Sequence, residues 1–594
     1  MPSYYSEERY NGPEAISVAM DIGTTQSGVS FVHFSPGSQS GGQMVTQWPD
    51  QAYWTGGAKV PTMVSYQNGA LKACGAEALQ DFDEYPDNVA YWFKLHLHPA
   101  AIFPSNPSES ETPPLPAGVT IEQVYADFMR YLMVNTQRFF EVTTPNGAEI
   151  WARSRDTMVI VLATPNGWDI REQAILRKAA IKASLVTEGN AGQLLQFVTE
   201  AEASVHYVLA QHPSQWLRNE TVFAVVDCGG STIDTAIYRC MSTTPLSLNE
   251  TCPGQCVQAG SIFVNRGVQK LLEAKLKGSK FNSRGIIKSM TDAFERDVKP
   301  KFNGVRIQYD LKFGSHTDSD SINGIDRGRI TLSNEELRPI FDAVINRILV
   351  SCSGDIIKQK SEYVLLVGGF GESSYLRKIL SQKLIPYGIM VLTVGPCVKQ
   401  AAAEGAIISH IKQVVVARAA RATFGGCVRS LYDKNLHRER RDAIEVYADG
   451  NERVDGAFHV WITKGTVLQG TFAHKLSYHV AWDATATSKA ELVHKLGEIG
   501  IEVFAWEGGN IPIWCKDEHG KILNGMRLIC TLNANLSALA GGLQTMTGRN
   551  ETRFYRVDYD VCVYFGGTQL RAKLQWREKG VLREGPVTIM PYVS

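Results

Sequence analysis

The sequence predicts an α/β protein built from two similarly organised halves and followed by a β-rich carboxy-terminal domain. Three observations lead there. A strand, a small-residue turn carrying an aspartate and a second strand occur at residues 14–34 and again at 223–238. Each half later yields a strand-to-helix unit, at 157–185 and 361–384, as α/β layering requires. Beyond residue 457 the apolar period switches to two, the signature of half-buried strands.

Composition sets the frame for these elements. At 594 residues, with 44% hydrophobic and 20% charged, the chain can bury a large core and divide into several globular units. Lysine plus arginine and aspartate plus glutamate stand at 60 each, so no global field favours nucleic acid or an anionic membrane. The amino-terminal stretch "MPSYYSEERYNGPEAISVAM" lacks a basic-then-apolar leader, and no run is long enough to cross a bilayer. The expectation is a cytoplasmic or nuclear protein that is not secreted and has no membrane span. Eleven cysteines, an odd number without framework spacing, suit free thiols in a reducing compartment. Cys252 and Cys256 have no second pair or nearby histidines, which argues against zinc. The N-x-T sequons at Asn219, Asn249 and Asn550 carry little meaning without secretion.

In chain order, Val18 and Met20 lead into the turn "DIGTT", and Val29, Phe31 and Val32 lead out. "SPGSQSGG" at 35–42 is a loop tip, and the Pro/Ser/Glu-rich 104–118 is an exposed loop, since patterned sequence resumes at once. The strand at 157–164 ends in Pro-Asn-Gly. Asp169 and Glu172 then form a capping box, and Ile175, Ala179 and Ala183 place an apolar stripe on the helix. The second half repeats the scheme with "FAVVDCGGSTIDTAIY" and "SEYVLLVGGFGESSYLRKILSQKL", a motif-level duplication rather than a short-period repeat. Residues 431–457, charged and glycine-punctuated, read as a linker. After it Phe458, Val460 and Ile462 alternate with His459, Trp461 and Thr463. Val561, Val563 and Phe565 precede Gly566-Gly567, and Leu570, Ala572, Leu574 and Trp576 follow in alternation, which reads as a hairpin. One helix is expected near "SKAELVHKLGEIG".

The turns suggest chemistry. A nucleoside triphosphate needs backbone N–H groups at close range to its phosphates, which small residues permit, and a hydrated metal near carboxylates. "DIGTT" offers Asp21, Gly23, Thr24 and Thr25, and "DCGGSTID" offers Asp227, Gly229, Gly230, Ser231, Thr232 and Asp234. Either turn alone is equally well a tight hairpin. "LLVGGFGESSYL" adds Gly368 and Gly369 between a buried strand and a helix start, where backbone can approach a nucleotide. On its own it is an ordinary strand–helix junction. The order of the three, near residues 21, 227 and 368, is what favours a nucleotide site.

With these motifs in place, the chain resembles the actin-like ATPase superfamily, specifically its heat-shock-protein-seventy branch. "AMDIGTTQSGVSF" resembles the first phosphate motif of that family, "FAVVDCGGSTIDTAIY" the second and "YVLLVGGFGESSYLRKI" the adenosine motif. "VIVLATPNGWDIREQAILRKAAIKASL", "VTEAEASVHYVL" and "AGSIFVNRGVQKLL" resemble intervening segments, so the similarity runs collinearly over roughly residues 15–415. It implies two duplicated ribonuclease-H-like lobes, at 15–215 and 216–430, a linker at 431–457 and the β-rich domain at 458–594. It implies ATP or ADP with Mg²⁺ as cofactors. By the resemblance, Asp21 and Asp227 orient water on Mg²⁺. Gly23, Thr24, Thr25, Gly229, Gly230, Ser231 and Thr232 hold phosphates, and Gly260 belongs to the same binding set. Lys94 takes the place of a phosphate-contacting lysine, and Glu200 and Asp234 are candidates for the attacking water. Gly368, Gly369 and Ser373 approach ribose and adenine, and Glu295 and Lys299 flank the base or form a charged helical face.

Departures from the family narrow the reading. The acidic-apolar interdomain linker is replaced by "LYDKNLHRERRDA", no helical lid follows the β-rich domain, the terminus lacks an acidic tail, and a family acidic position falls on Lys399. This pattern is similar to the divergent, lidless branch. The resemblance implies a chaperone-like ATPase switch whose residues 458–594 contact a protein partner. The alternatives are a nucleotide-binding interaction protein without significant hydrolysis and, with less support, a small-molecule kinase of the same superfamily, because fold does not fix function.

Overall fold

Two central sheets carry the sequence duplication into space. Strand β1 (Ala15–Asp21) pairs antiparallel with β2 (Gln26–Phe34), which also pairs with β3 (Gly42–Met44). On its other side β1 runs parallel to β4 (Val159–Thr164), and β4 parallel to β5 (Leu195–Thr199). The second sheet repeats this. Strand β6 (Val222–Cys228) pairs antiparallel with β7 (Ile233–Thr243), which neighbours β8 (Leu246–Glu250). β6 also runs parallel to β9 (Tyr363–Val367), and β9 parallel to β10 (Met390–Thr393). The order β3-β2-β1-β4-β5 is thus matched by β8-β7-β6-β9-β10. These relations come from a computed structural model that describes residues 9–39, 41–51, 57–99, 102, 112–211, 216–393, 401–470, 473–566, 570–578, 580–586 and 588–591.

The central strands are apolar on both faces because both faces are covered. Every residue of β6 is buried, as are all of β1 except Ala15; such strands read as continuous hydrophobic runs rather than alternations. Val18, Met20, Val29 and Phe31 pack with Phe128, Met129 and Leu132 of the helix Ile121–Thr143. Burial of each such side chain contributes roughly 1.5–3 kcal/mol. The opposite face of the first sheet, through Ala19 and Val161, meets Ala203 of helix α1 (Glu200–Gln211) and Ala406 and Ile407 of helix α2 (Ala401–Lys412). Other residues of α1, Ala201 and Val205 among them, pack with Phe223, Val225 and Ala236 of the second sheet. The α1–α2 contact depends on Gly405, where any Cβ would run into the Ala203 carbonyl.

These elements form one compact unit, which gathers the described residues up to Trp168, then Ile175–Asn249 and Gly254–Val415. A second unit gathers Asp169–Ala174, Glu250–Pro253 and the described residues from Val416 onward. It is β-rich. One antiparallel sheet runs in the order Glu445–Val446, Glu452–Ile462, Thr423–Leu431, Ile499–Trp506, Met526–Ala534, Thr588–Pro591. Another runs Ala473–Asp483, Arg553–Tyr564, Arg571–Glu578, Val581–Pro586. Val503, Cys530 and Leu532 of the first share a core with Val561, Val563 and Leu574 of the second.

Residues 431–457, read from sequence as a linker, contain strand residues paired into the first of these sheets. The strand residues Phe458 and Val460 pack in a small cluster with Phe504 and Met526, while Trp461, from the alternate positions read as polar, enters the core between the sheets. Its indole N–H donates to the Tyr478 hydroxyl at 2.6 Å, which makes an aromatic with a polar edge tolerable there. The hairpin pairs Val561 with Leu574 and Val563 with Ala572; Gly567 lies outside the described residues, as does Lys399. The helix is Lys489–Gly497, opened by a Ser488–Glu491 capping box. Of the Asp169–Glu172 capping box one half forms, with the Asp169 amide donating to Glu172 at 2.8 Å, while the Asp169 carboxylate accepts from the Arg171 amide at 2.9 Å. Among the described residues no helix is long and apolar enough to cross a membrane.

Asp449 supplies a stability test for the second unit. Burial opposes its charge, but Asn451 and Arg453, the latter at 2.7 Å, hold the carboxyl down at about 2. A depressed carboxyl contributes stability above its ordinary range and loses it as pH falls toward the folded value. Asp449→Asn is expected to destabilise this unit by about 1–2 kcal/mol at pH 7 in chemical melts, and the difference from wild type should vanish near pH 2.

Candidate nucleotide site

β1 ends at Asp21 and β6 one residue past Asp227, and the turns that follow them form one floor. A cleft of ≈ 1900 Å³ in the first unit is lined by Asp21, Gly23, Thr24 and Thr25 from the first turn and by Asp227, Gly229, Gly230, Ser231 and Thr232 from the second. Lys94, Glu200, Glu295, Lys299, Gly368, Gly369 and Ser373 complete the predicted residues on its wall. The turns touch directly: Thr24 Oγ1 and Ser231 Oγ lie 2.5 Å apart, and a Cβ on Gly230 would stand 3.2 Å from Thr25 Oγ1. Only small residues allow two backbones to come so near.

Two predicted residues stand elsewhere. Gly260 does not line the cleft. Its amide donates to the Ser231 carbonyl at 2.9 Å, and the Ser261 and Ile262 amides donate to the Gly229 and Gly230 carbonyls at 3.2 and 3.0 Å. The start of helix Ser261–Lys275 therefore clamps the second turn from behind. A Cβ at Gly260 would strike the Gly230 carbonyl. Asp234, paired across the hairpin with Asp227, is buried behind the wall and accepts the Asn166 amide at 2.5 Å.

Charge is concentrated under the turns. Lys94, on the short 3-10 helix Phe93–Leu97, is buried and donates to Glu200 Oε1 at 2.6 Å. Glu200 opens α1, and Ser204, one turn on, donates to Asp227 Oδ2 at 2.6 Å. Lys59 pairs with Asp21. Burial pushes Asp227 up to about 7, with the Glu200 charge adding and the Ser204 bond opposing. Burial and then Glu200 push Asp234 up to about 8 against the Asn166 bond. Burial opposes the charge of Lys94, but Glu200, Asp21 and Asp234 outweigh it and raise its pKa. More carboxylates than ammonium groups are thus buried together, an arrangement that favours an added cation. Among the described residues no group of three or more His, Cys, Asp or Glu can hold a metal by itself. A cation here would take its remaining oxygens from water and a ligand, which is how Mg²⁺ is usually held.

The far end of the cleft is built differently. Glu295, in a π-helical turn at Phe294–Val298, accepts from Lys299 and from Asn265, each at 2.9 Å. Such turns often mark functional positions. Gly368 has φ +79, and a Cβ there would meet the Asp227 carboxylate; Gly369 faces open space. Ser373 caps helix Ser374–Leu384, accepting from the Leu376 amide at 3.3 Å. Across the mouth Arg266 stacks on Trp92 at 4.9 Å, and Lys288 reaches Asp83 at 2.8 Å and lies over Phe82.

Sequence reasoning missed Lys59, Ser204, His98 and Trp168. Ser204 was findable, since residues four apart share a helix face with Glu200. The others join the site through distant segments that carry no local signal.

A search among curated proteins finds similarity to heat shock 70 kDa protein 12B of Homo sapiens, 22% identical over 482 residues that cover 66% of this chain and 68% of that protein. No family model matches the chain. The similarity supports a heat-shock-protein-seventy-like relationship, and the mixed α/β architecture fits a two-lobed arrangement of that kind.

The buried pair gives a direct test. Glu200→Ala strands the Lys94 ammonium and is expected to destabilise the protein by about 3–5 kcal/mol. Adding Lys94→Met to Glu200→Leu should recover most of that loss in denaturant melts; an additive double variant would show that the two groups do not interact.

Proposed function

We propose that this chain is an ATP-binding, slowly ATP-hydrolysing, chaperone-like switch of the actin-like ATPase superfamily, in its lidless heat-shock-seventy-like branch. The carrying observation is the meeting of two glycine-bearing turns from matching sheets over a buried lysine–carboxylate cluster. In this reading the amides and hydroxyls of Gly23, Thr24, Thr25, Gly229, Gly230 and Thr232 receive the phosphates, and Gly368, Gly369, Ser373, Glu295 and Lys299 receive the nucleoside. Lys94 offsets charge on the terminal phosphoryl group, and Glu200 orients the attacking water. Neither needs to become a covalent nucleophile, because phosphoryl transfer is driven by positioning and electrostatics. Asp21 and Asp227 would hold the hydration shell of Mg²⁺, which would supply charge neutralisation between phosphates when bound. Asp234, set behind the wall, acts on this site through its hold on the Asn166 amide rather than by touching water in the cleft.

Nucleotide state would then be transmitted to the β-rich unit, whose residues 458–594 engage a protein partner. Ligand-driven closure of two halves is the usual way such a site changes shape. Purified protein is expected to bind ATP and ADP in the presence of Mg²⁺ and to release phosphate slowly. Asp21→Ala and Lys94→Ala should each lower the rate roughly a hundredfold, measured by phosphate release. ATP binding with phosphate release no higher than in these variants would leave a nucleotide-binding interaction protein, and transfer of labelled phosphate to a metabolite would indicate a kinase.

A further inference from the structure

A line of four side chains runs into the floor of the cleft, and the indole at its inner end sets the direction of its first hydrogen bonds. The Trp168 indole N–H lies 3.1 Å from His98 Nδ1, His98 Nε2 lies 3.1 Å from Ser231 Oγ, and Ser231 Oγ lies 2.5 Å from Thr24 Oγ1. All four residues are buried. An indole can only donate. His98 Nδ1 must therefore accept, which leaves the proton of the neutral ring on Nε2, pointing to Ser231. Burial and the Lys94 charge both disfavour the imidazolium, whose Nδ1 proton would in addition oppose the indole.

Ser231 Oγ then accepts from His98 and has its own proton to place. Thr24 Oγ1 is the group within reach, and a buried hydroxyl proton left without an acceptor is costly. With Thr24 Oγ1 as the protein acceptor in reach, Ser231 is oriented to donate to Thr24, which directs the Thr24 proton away from this chain of contacts, on a residue that lines the cleft. Trp168 also carries Lys94 over its ring at 5.6 Å, so the line ends beside the phosphate-facing lysine.

We propose that Trp168 and His98 are positioning residues that lock this hydrogen-bond line in one direction, so that the Thr24 hydroxyl presents its proton to the terminal phosphate and makes the site prefer a nucleoside triphosphate to a diphosphate. The proposal rests on the nucleotide reading above. Thr24 and Ser231 come from the two different turns, so the line is complete only when those turns are in contact.

Two measurements on the full chain test it. With ¹⁵N-histidine labelling at pH 7, the His98 signals, identified by their loss in His98→Gln, are expected to show a protonated Nε2 and a bare Nδ1. A protonated Nδ1 or an imidazolium overturns the assigned direction. Calorimetric titration with Mg·ATP and Mg·ADP gives the second readout. Thr24→Val should lower ATP affinity roughly tenfold or more, as expected for a hydrogen bond to a charged group, and ADP affinity by a clearly smaller factor. Trp168→Phe, which keeps the ring over Lys94 but removes the N–H, and His98→Leu should lower the ATP/ADP affinity ratio in the same direction by a smaller factor. His98→Gln, able to accept from the indole and donate to Ser231, should restore it. Equal losses for ATP and ADP, or an unchanged ratio in Thr24→Val, overturn the positioning role while nucleotide binding by the wild type still stands. Absence of binding by the wild type to either nucleotide overturns the nucleotide reading itself.

Discussion

The cleft is organised by a surplus of buried carboxyl groups over ammonium groups where two turns meet. Asp21, Glu200, Asp227 and Asp234 lie near Lys59 and Lys94 in a region where burial already drives Asp227 up to about 7. Taking that many carboxylates out of water is unfavourable unless cations and hydrogen bonds offset them. Every other feature of the floor serves this condition: Ser204 donates to Asp227, the Asn166 amide donates to Asp234, and the glycines let backbone N–H groups stand where side chains would crowd. What remains uncompensated is suited to a hydrated divalent ion.

The duplicated topology explains why the charges converge. In each sheet the strand that begins the hairpin is central, apolar and carries an aspartate at or next to its last residue, so its carboxylate emerges near the end of a strand whose flanks are occupied. α1 and α2 pack between the sheets at the close contact Gly405 permits, and α1 also supplies Glu200 and Ser204. The helix that joins the two halves thus carries the carboxylate that holds Lys94 and the hydroxyl that holds Asp227. Packing and chemistry are carried by the same element.

Much of this was legible in the residues. Continuous apolar strands, small-residue turns and capped helices are local signals, and the β1–β2 and β6–β7 hairpins, helix Ser374–Leu384 and the Ser488 cap follow from them. Site residues on those turns could be named for the same reason. Asp234 was named from the second turn and Gly260 from the family resemblance, but neither chain neighbourhood nor a motif match says which side of a wall a residue occupies. Lys59, His98 and Trp168 went unseen since their partners are remote in the chain, and only folding brings them together. The charged stretch at 431–457 imitates a linker because strands at a sheet edge tolerate charge, and Trp461 escaped because a strand covered on both faces breaks simple alternation.

The central claim is that the two turns act as one site. Hydrogen–deuterium exchange of the full chain, with and without Mg·ATP, addresses it most directly. Peptides spanning residues 21–28 and 227–233 should both slow their exchange at the same nucleotide concentration, with the segment around Gly368 and Gly369 following. Protection of one turn without the other, or of neither, would contradict the account.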